Sequence, residues 1–247
     1  MNQRLDVYLH EKGYFESRSK ASAAILEGRI NVGGVTVKKP SFEVGEDSVI
    51  SVADGDDFVS RAYRKLSAAL DSFGYAVKGA VAVDIGASTG GFTQCLLDRG
   101  VKKVYAVDVG TGQLHPRLKN DSRVVNMEST NAKNLKKSDF SDEITLAVMD
   151  VSFISQSKLY PSVSGILPEN GVLISLVKPQ FEVGKQNIGK NGIVKDKSGK
   201  LIASVMEFLK SSGAENNLFL EEFMTSPITG GDGNTEYLSL FIKRSNS

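Results

Sequence analysis

The sequence predicts an α/β protein in which a doubly wound, mostly parallel sheet follows a small α+β domain. Three observations carry that expectation. From about residue 61, short apolar strand candidates alternate with helix candidates, the pattern of a parallel sheet covered on both faces. One of these strands ends in Asp84 and turns through Gly86-Ala87-Ser88-Thr89-Gly90-Gly91-Phe92 into a helix carrying Cys95, Leu96 and Leu97. The first fifty residues have another texture, with short helices, a diglycine hairpin and interspersed basic residues. The change places a small domain with its linker over residues 1–58 and a larger domain over 59–247.

In the small domain, helices are expected over residues 4–10 and 20–27, with Ser17 or Ser19 as cap for the second. Ile30-Asn31-Val32-Gly33-Gly34-Val35-Thr36-Val37 reads as a hairpin, because two adjacent glycines suit a two-residue turn with positive φ. Residues 1–42 hold seven Lys/Arg against four acids, a local balance of 7 − 4 = +3. The sign then reverses, with Glu43, Glu46, Asp47, Asp54, Asp56 and Asp57 preceding Arg61. The polar residues 53–60 read as the linker.

In the larger domain, strands are expected over 81–84, 104–108, 123–126, 144–150, 172–178, 218–224 and 236–242. Helices are expected over 61–73, 91–99, 155–167 and 200–211. No helix candidate separates the last two strands. The connection between them contains Pro227, Gly230 and Gly233. One strand therefore enters antiparallel at the end.

Composition excludes several classes. A hydrophobic content of 40% and a charged content of 24% are those of a globular chain. Net charge is +1, so any nucleic-acid surface must be local. The single cysteine, Cys95, forbids an internal disulfide and fits a reducing, cytoplasmic setting. No apolar run approaches the roughly 18–20 residues that cross a bilayer. Met1-Asn2-Gln3-Arg4-Leu5-Asp6 has no apolar segment behind it, so no secretory signal is expected.

Polar residues recur where the strands end. In open α/β sheets, ligands sit outside the carboxyl ends of the strands. Asp84, Asp108, Asp150 and Lys178 all fall there. Each alone is commonplace at a strand exit; four on one rim are not. The glycines lack G-x-G-x-x-G spacing, which opposes a dinucleotide site. An acid ahead of the glycines suits an amino-acid cation, such as that of S-adenosylmethionine (SAM). Asp108 lies 24 residues beyond Asp84, where an acid can bind a ribose diol. Gly86, Ala87, Ser88, Thr89, Gly90, Gly91 and Phe92 then form the cofactor turn, and Met127 or Glu128, after the third strand, lies near the adenine. The acids have no His or Cys companions, so no metal is expected.

Several motifs resemble known families. The seven-stranded sheet closed by one antiparallel strand is similar to the Rossmann-like class I SAM methyltransferase fold. Arg4-Leu5-Asp6, Leu9, Gly13, Ser17-Arg18-Ser19-Lys20-Ala21, Ile25 and Gly28-Arg29-Ile30-Asn31-Val32-Gly33-Gly34 resemble the S-four RNA-binding domain. That resemblance implies phosphate contacts by Arg4, Arg18, Lys20 and Arg29, which position RNA without reading its sequence. Lys65, Asp150, Lys178 and Glu236 resemble the Lys-Asp-Lys-Glu tetrad of FtsJ-like ribose 2′-O-methyltransferases. With Ser129-Thr130-Asn131-Ala132 and Val177-Lys178-Pro179-Gln180-Phe181-Glu182-Val183-Gly184-Lys185, the whole chain resembles the TlyA family. That family carries both a haemolysin label and a 2′-O-methyltransferase activity on rRNA cytidine.

The resemblance implies SAM as cofactor, ribosomal RNA or ribosomal subunits as partner, and the tetrad as catalytic group. A ribose hydroxyl must lose its proton and lie in line with the S–CH₃ bond. Lys178 is the expected base; Lys65 would favour its neutral form, while Asp150 and Glu236 would oppose that and orient both amines. A membrane-active haemolysin is the alternative, opposed by the absence of a spanning segment or long amphipathic basic helix. A catalytically silent RNA-binding protein is another, opposed by the complete tetrad.

Overall fold

Two short helices and a diglycine hairpin build the amino-terminal unit in the computed structural model, which describes residues 3–15, 17–26, 28–52, 58–196, 198–230 and 233–245. The chain forms two compact units, residues 1–58 and 59–247. The first contains β1 (Gln3–Arg4), α1 (Leu5–Glu11), α2 (Arg18–Leu26), β2 (Ile30–Val32), β3 (Val35–Val37), β4 (Glu43–Val44) and β5 (Ile50–Val52). Leu5, Tyr8 and Leu9 of α1, and Ala21, Ala24 and Ile25 of α2, recur at helical spacing and are buried with Ile30, Val37 and Val44. Ser17 caps α2, its Oγ accepting the Lys20 N–H at 3.2 Å. Gly33 and Gly34 have φ of +58° and +83°, the left-handed conformations that a tight hairpin turn demands. Strand β2 pairs antiparallel with both β3 and β5. Glu27, at the expected end of the second helix, and residues 53–57 of the expected linker lie outside the described residues.

The second unit contains α3 (Ala62–Ser72), β6 (Val81–Ile85), α4 (Gly91–Asp98), β7 (Lys103–Val107), α5 (Pro116–Lys119), β8 (Val124–Met127), β9 (Leu146–Met149), α6 (Tyr160–Ile166), β10 (Val172–Val177), α7 (Lys200–Ala214), β11 (Leu218–Thr225) and β12 (Tyr237–Lys243). Seven strands form one sheet in the order β11-β12-β10-β9-β6-β7-β8. Strand β12 is antiparallel to both neighbours, and the pairs from β10 through β8 are parallel. Successive strand residues bury on opposite faces. Ala82, Val104, Val148 and Ile174 pack with Leu66, Leu70, Cys95 and Leu96 on one side. Val83, Tyr105, Leu173 and Phe241 pack with Tyr160, Val163 and Leu209 on the other. Burial on both faces explains why these strands read as nearly continuous apolar runs.

Two local readings change. The helix expected over 155–167 is a 3-10 turn (Gln156–Leu159) followed by α6. Pro161 accounts for the break, since its ring would clash with the carbonyl four residues earlier if the helix ran through it. The short α5 was not expected, although its signal is present: Pro116 stands at its first position, and His115 Nδ1 accepts the Arg117 N–H at 3.2 Å.

The topology also places a crevice. From β6 the chain winds outward through β7 and β8, then crosses to β9 on the other side of β6. Ligands in open α/β sheets bind at such a reversal, outside the carboxyl ends. Residues 86–89 and 150–153 emerge there.

Candidate active site

Antiparallel insertion of β12 assembles the tetrad. Register pairs Val177 with Tyr237, so the residue after β10 and the residue before β12 share one end of the sheet. These are Lys178 and Glu236. Asp150 follows the neighbouring β9, and Lys65 comes from α3. Lys178 Nζ lies 2.5 Å from Asp150 Oδ1 and donates to Ser152 Oγ at 2.9 Å. Lys65 Nζ donates to Glu236 Oε2 in a buried ion pair. All four side chains are largely shielded, at 11–17% exposed for Lys65, Lys178 and Asp150 and 3% for Glu236. Ion pairs withdrawn from water carry a desolvation cost that a hydrophobic replacement would avoid, so the buried Lys65–Glu236 pair beside the part-buried Lys178–Asp150 pair points to use rather than stability.

A cavity of about 290 Å³ opens onto this group, lined by Lys65, Lys178, Asp150, Ser152, Ser60 and the glycine corner. A second, of about 480 Å³, shares Gly86, Ser88, Asp150 and Ser152 with it and continues past Asp108, Val109, Gln113 and residues 130–133. Of the expected cofactor turn, Gly86, Ala87, Ser88, Thr89, Gly91 and Phe92 line the first cavity. Gly90 turns away from it: with φ +97°, a Cβ there would stand 2.2 Å from Leu118 Cδ1. Its glycine is required by packing against the segment after β7. At Gly86, a Cβ would stand 2.5 Å from the Asp150 carbonyl oxygen, so glycine permits the ends of β6 and β9 to close together.

The acids divide by environment. Asp84 is fully buried and accepts from Thr93 Oγ1 at 2.7 Å through Oδ2. Its Oδ1 has no hydrogen-bond partner among the described residues. Burial pushes its carboxyl up to about 7; the Thr93 hydrogen bond opposes this, and the charges of Asp150 and Asp108 add to it. Asp108 accepts the N–H groups of Ser88 and Gly110, both at 2.8 Å, and so ties the glycine corner to the end of β7. Glu128 accepts from Gln113 N–H at 2.6 Å, Leu114 N–H at 3.1 Å and Asn126 Nδ2 at 2.9 Å. The Asn126 bond, followed by those two N–H groups, holds it down at about 2. Glu128 thus braces the 110–114 loop, and neither it nor Met127 lines the larger cavity. Thr130, Asn131, Ala132 and Lys133 supply that wall instead.

Asp108 and Asp150 line the larger cavity together with Lys133, whereas Asp84 lies within β6, fully buried, keeps one oxygen without a hydrogen-bond partner among the described residues, and lines neither cavity. Among the described residues, no group of three or more His, Cys, Asp or Glu could hold a metal ion. Burial pushes the Cys95 thiol up to about 12, which makes it a poor nucleophile near neutral pH.

Sequence reasoning missed Ser152, the second partner of Lys178, and Phe153. Phe153 is 91% exposed, has φ +64°, and sits 5.2 Å from the Phe181 ring at the cavity rim. An aromatic residue in left-handed backbone beside a site is a strained feature of the kind found at functional positions. No sequence signal announces that φ.

In the first unit, Arg4 and Arg18 converge on Asp6, at 3.0 and 2.9 Å. Lys20 lies two residues beyond Arg18 on the first turn of α2. Arg29 stands over the Phe15 ring, 5.8 Å from its centroid.

Comparison with known proteins agrees with both units. Residues 58–243 match the FtsJ-like methyltransferase family and residues 3–50 match the S4 domain. "Hemolysin A" of Brachyspira hyodysenteriae is 44% identical over 243 residues, covering 97% of this chain and 99% of its own length. The "16S/23S rRNA (cytidine-2'-O)-methyltransferase TlyA" of Mycobacterium tuberculosis is 39% identical over 236 residues, covering 95% of this chain and 87% of its own. A solved structure with a hemolysin designation, from Streptococcus thermophilus, superposes with a TM-score of 0.78 at 36% identity, covering 99% of this chain and 90% of its own. Among the described residues, no helix is long and apolar enough to cross a membrane. The chain therefore belongs to the FtsJ-like methyltransferase family, in the haemolysin A/TlyA group that carries an S4 domain ahead of the methyltransferase domain.

Proposed function

We propose that this protein is a cytoplasmic enzyme that methylates a ribose 2′-hydroxyl of ribosomal RNA, on cytidine, with SAM as methyl donor. The observation that carries the reading is the pair of lysine–carboxylate contacts, Lys178–Asp150 and Lys65–Glu236, beside the glycine corner. The names of the relatives agree with it: those described by a reaction are rRNA or cytidine-2′-O methyltransferases.

When bound, SAM supplies an electrophilic methyl carbon on a positively charged sulfur. Asp84, Asp108, Asp150 and the backbone of residues 86–89 are the groups we assign to hold it. The carboxylates of Asp108 and Asp150 suit the cationic donor, and residues 86–89 line the cavity beside Asp150. The ribose hydroxyl is a weak nucleophile until its proton leaves. Lys178 Nζ is the amine we assign to take that proton, which it does as the neutral amine after its own ammonium proton has passed to solvent. Asp150 and Ser152 fix its direction, which restricts the hydroxyl to one approach. Lys65, held by Glu236, places a positive charge where negative charge develops on the oxygen. The first unit docks the RNA through Arg4, Arg18, Lys20 and Arg29, so affinity depends on phosphate charge and salt.

Primer extension on rRNA from cells with and without the protein tests the reading. A 2′-O-methyl stop at a cytidine, present only with the protein, is expected. Identical methylation in both would refute it. Isothermal titration should show SAM binding and no binding of NAD.

A further inference from the structure

Asp6 is an acid in a surface that the proposed function requires to be basic, and its side chain is only 5% exposed. Its carboxylate is held as a fixed post. The Asp6 N–H donates to the Pro40 carbonyl at 3.1 Å, and the preceding Leu5 N–H donates to Phe42 at 2.7 Å. The carboxylate itself accepts the Val7 N–H at 3.1 Å. Two arginines from different elements close on it. Arg4, at the end of β1, donates Nε to Oδ1 and Nη2 to Oδ2, both at 3.0 Å. Arg18, the first residue of α2, donates Nε to Oδ2 at 2.9 Å. The Arg4 bond, then the Arg18 bond, holds the carboxyl down at about 2 against the opposing effect of burial, so it is ionised at neutral pH.

These contacts use two N–H groups of Arg4 and one of Arg18, out of the five on each guanidinium. Both arginine side chains remain about half exposed, at 49% and 55%. The charge count of this unit treats Asp6 as one of four acids diminishing a basic face. The geometry gives it the opposite effect. Two long, flexible side chains are brought to one point and oriented before any partner arrives, so less rotamer freedom is lost on binding.

We propose that Asp6 is a positioning residue that arranges Arg4 and Arg18 as a preformed fork for an RNA phosphate. The inference rests on the reading of the first unit as the RNA-docking unit. The competing role, a strut between the start of α1 and the start of α2, makes a different prediction. So does net charge: removing Asp6 raises the balance of residues 1–42 from +3 to +4, which by charge alone tightens RNA binding.

The test measures binding of the full chain to deproteinised ribosomal RNA across a sodium chloride series. Asp6→Ala is expected to weaken binding roughly tenfold, despite the added positive charge. It should also flatten the salt slope by roughly one to two units, because two phosphate-directed cations lose their arrangement. Asp6→Asn keeps one acceptor and should fall between the two; it decides the matter if the alanine variant fails to fold. In an Arg18→Ala background the effect of Asp6→Ala should shrink, since the two act through one contact. A strut alone would leave the salt slope unchanged and the two substitutions additive in RNA affinity, and that result overturns the proposal. Binding by either Asp6 variant as tight as, or tighter than, the parent also overturns it. If the parent shows no salt-sensitive binding, the functional reading falls as well. If the parent binds and Arg18→Ala weakens it while the Asp6 variants do not, only this inference falls.

Discussion

The two units of this protein use charge in opposite settings. In the first, two half-exposed arginine side chains, Arg4 and Arg18, meet the nearly buried Asp6. In the second, Lys65, Lys178 and Asp150 line a cavity, Glu236 pairs with Lys65, and Asp84 is buried entirely. Exposed pairs contribute little to stability and are screened by salt. Their value lies in what a partner finds on arrival. Shielded pairs cost desolvation energy, and their value lies in chemistry that water would blunt. RNA docking by the first unit should therefore weaken as ionic strength rises, and cofactor binding by the second should depend on it much less.

The largest expected break is at Lys178. Lys178→Ala should lower turnover about 10²–10⁴-fold while SAM affinity stays near that of the parent, because the lost interaction belongs to the transition state. Single-turnover kinetics beside calorimetry check this; normal turnover would remove the tetrad from the mechanism. Separating the units comes next. A chain beginning at Val59 should bind SAM, since every residue assigned to that pocket lies beyond it, yet lose roughly 10²-fold or more in methylation of ribosomal RNA for want of positioning. Full activity in that shortened chain would dissolve the comparison.

Asp84 sharpens the contrast through pH. Its carboxyl is raised to about 7 in the folded protein, chiefly by burial, against an ordinary value near 4. The protonated form is therefore favoured by folding. That contribution is complete below about pH 4 and is lost as pH rises through about 7. Asp84→Asn removes the titration. The variant should gain on the parent in urea unfolding between pH 4 and 7, level off above about 8, and bind SAM poorly. Parallel stability curves for the two proteins would contradict a buried, titrating Asp84. At Asp108, replacement by Ala should weaken SAM binding by about 1–3 kcal/mol in calorimetry; unchanged affinity would take Asp108 out of the pocket. The smallest effect belongs to the first unit. Ser17→Ala removes the α2 cap and should cost about 0.5–2 kcal/mol of stability without touching SAM affinity.

What the sequence determined by itself follows from local rules. Strand positions, the Gly33-Gly34 turn, a cap at Ser17 or Ser19 and the acids near strand ends are readable because periodicity, turn chemistry and capping act over a few residues, although Asp84 proves to lie within β6 and the cap to be Ser17. Asp150 and Lys178 were legible as residues at strand ends, but Lys65 and Glu236 joined them only by resemblance to a family, since those two stand 171 residues apart. Tertiary structure alone decided which partner each lysine takes, because that depends on the antiparallel entry of β12 beside β10. It also decided that Gly90 packs against Leu118 and that Glu128 accepts the N–H groups of Gln113 and Leu114. A side chain's rank along the chain limits which rim it reaches; what it touches there is set by neighbours that packing brings from elsewhere, and no local rule encodes those.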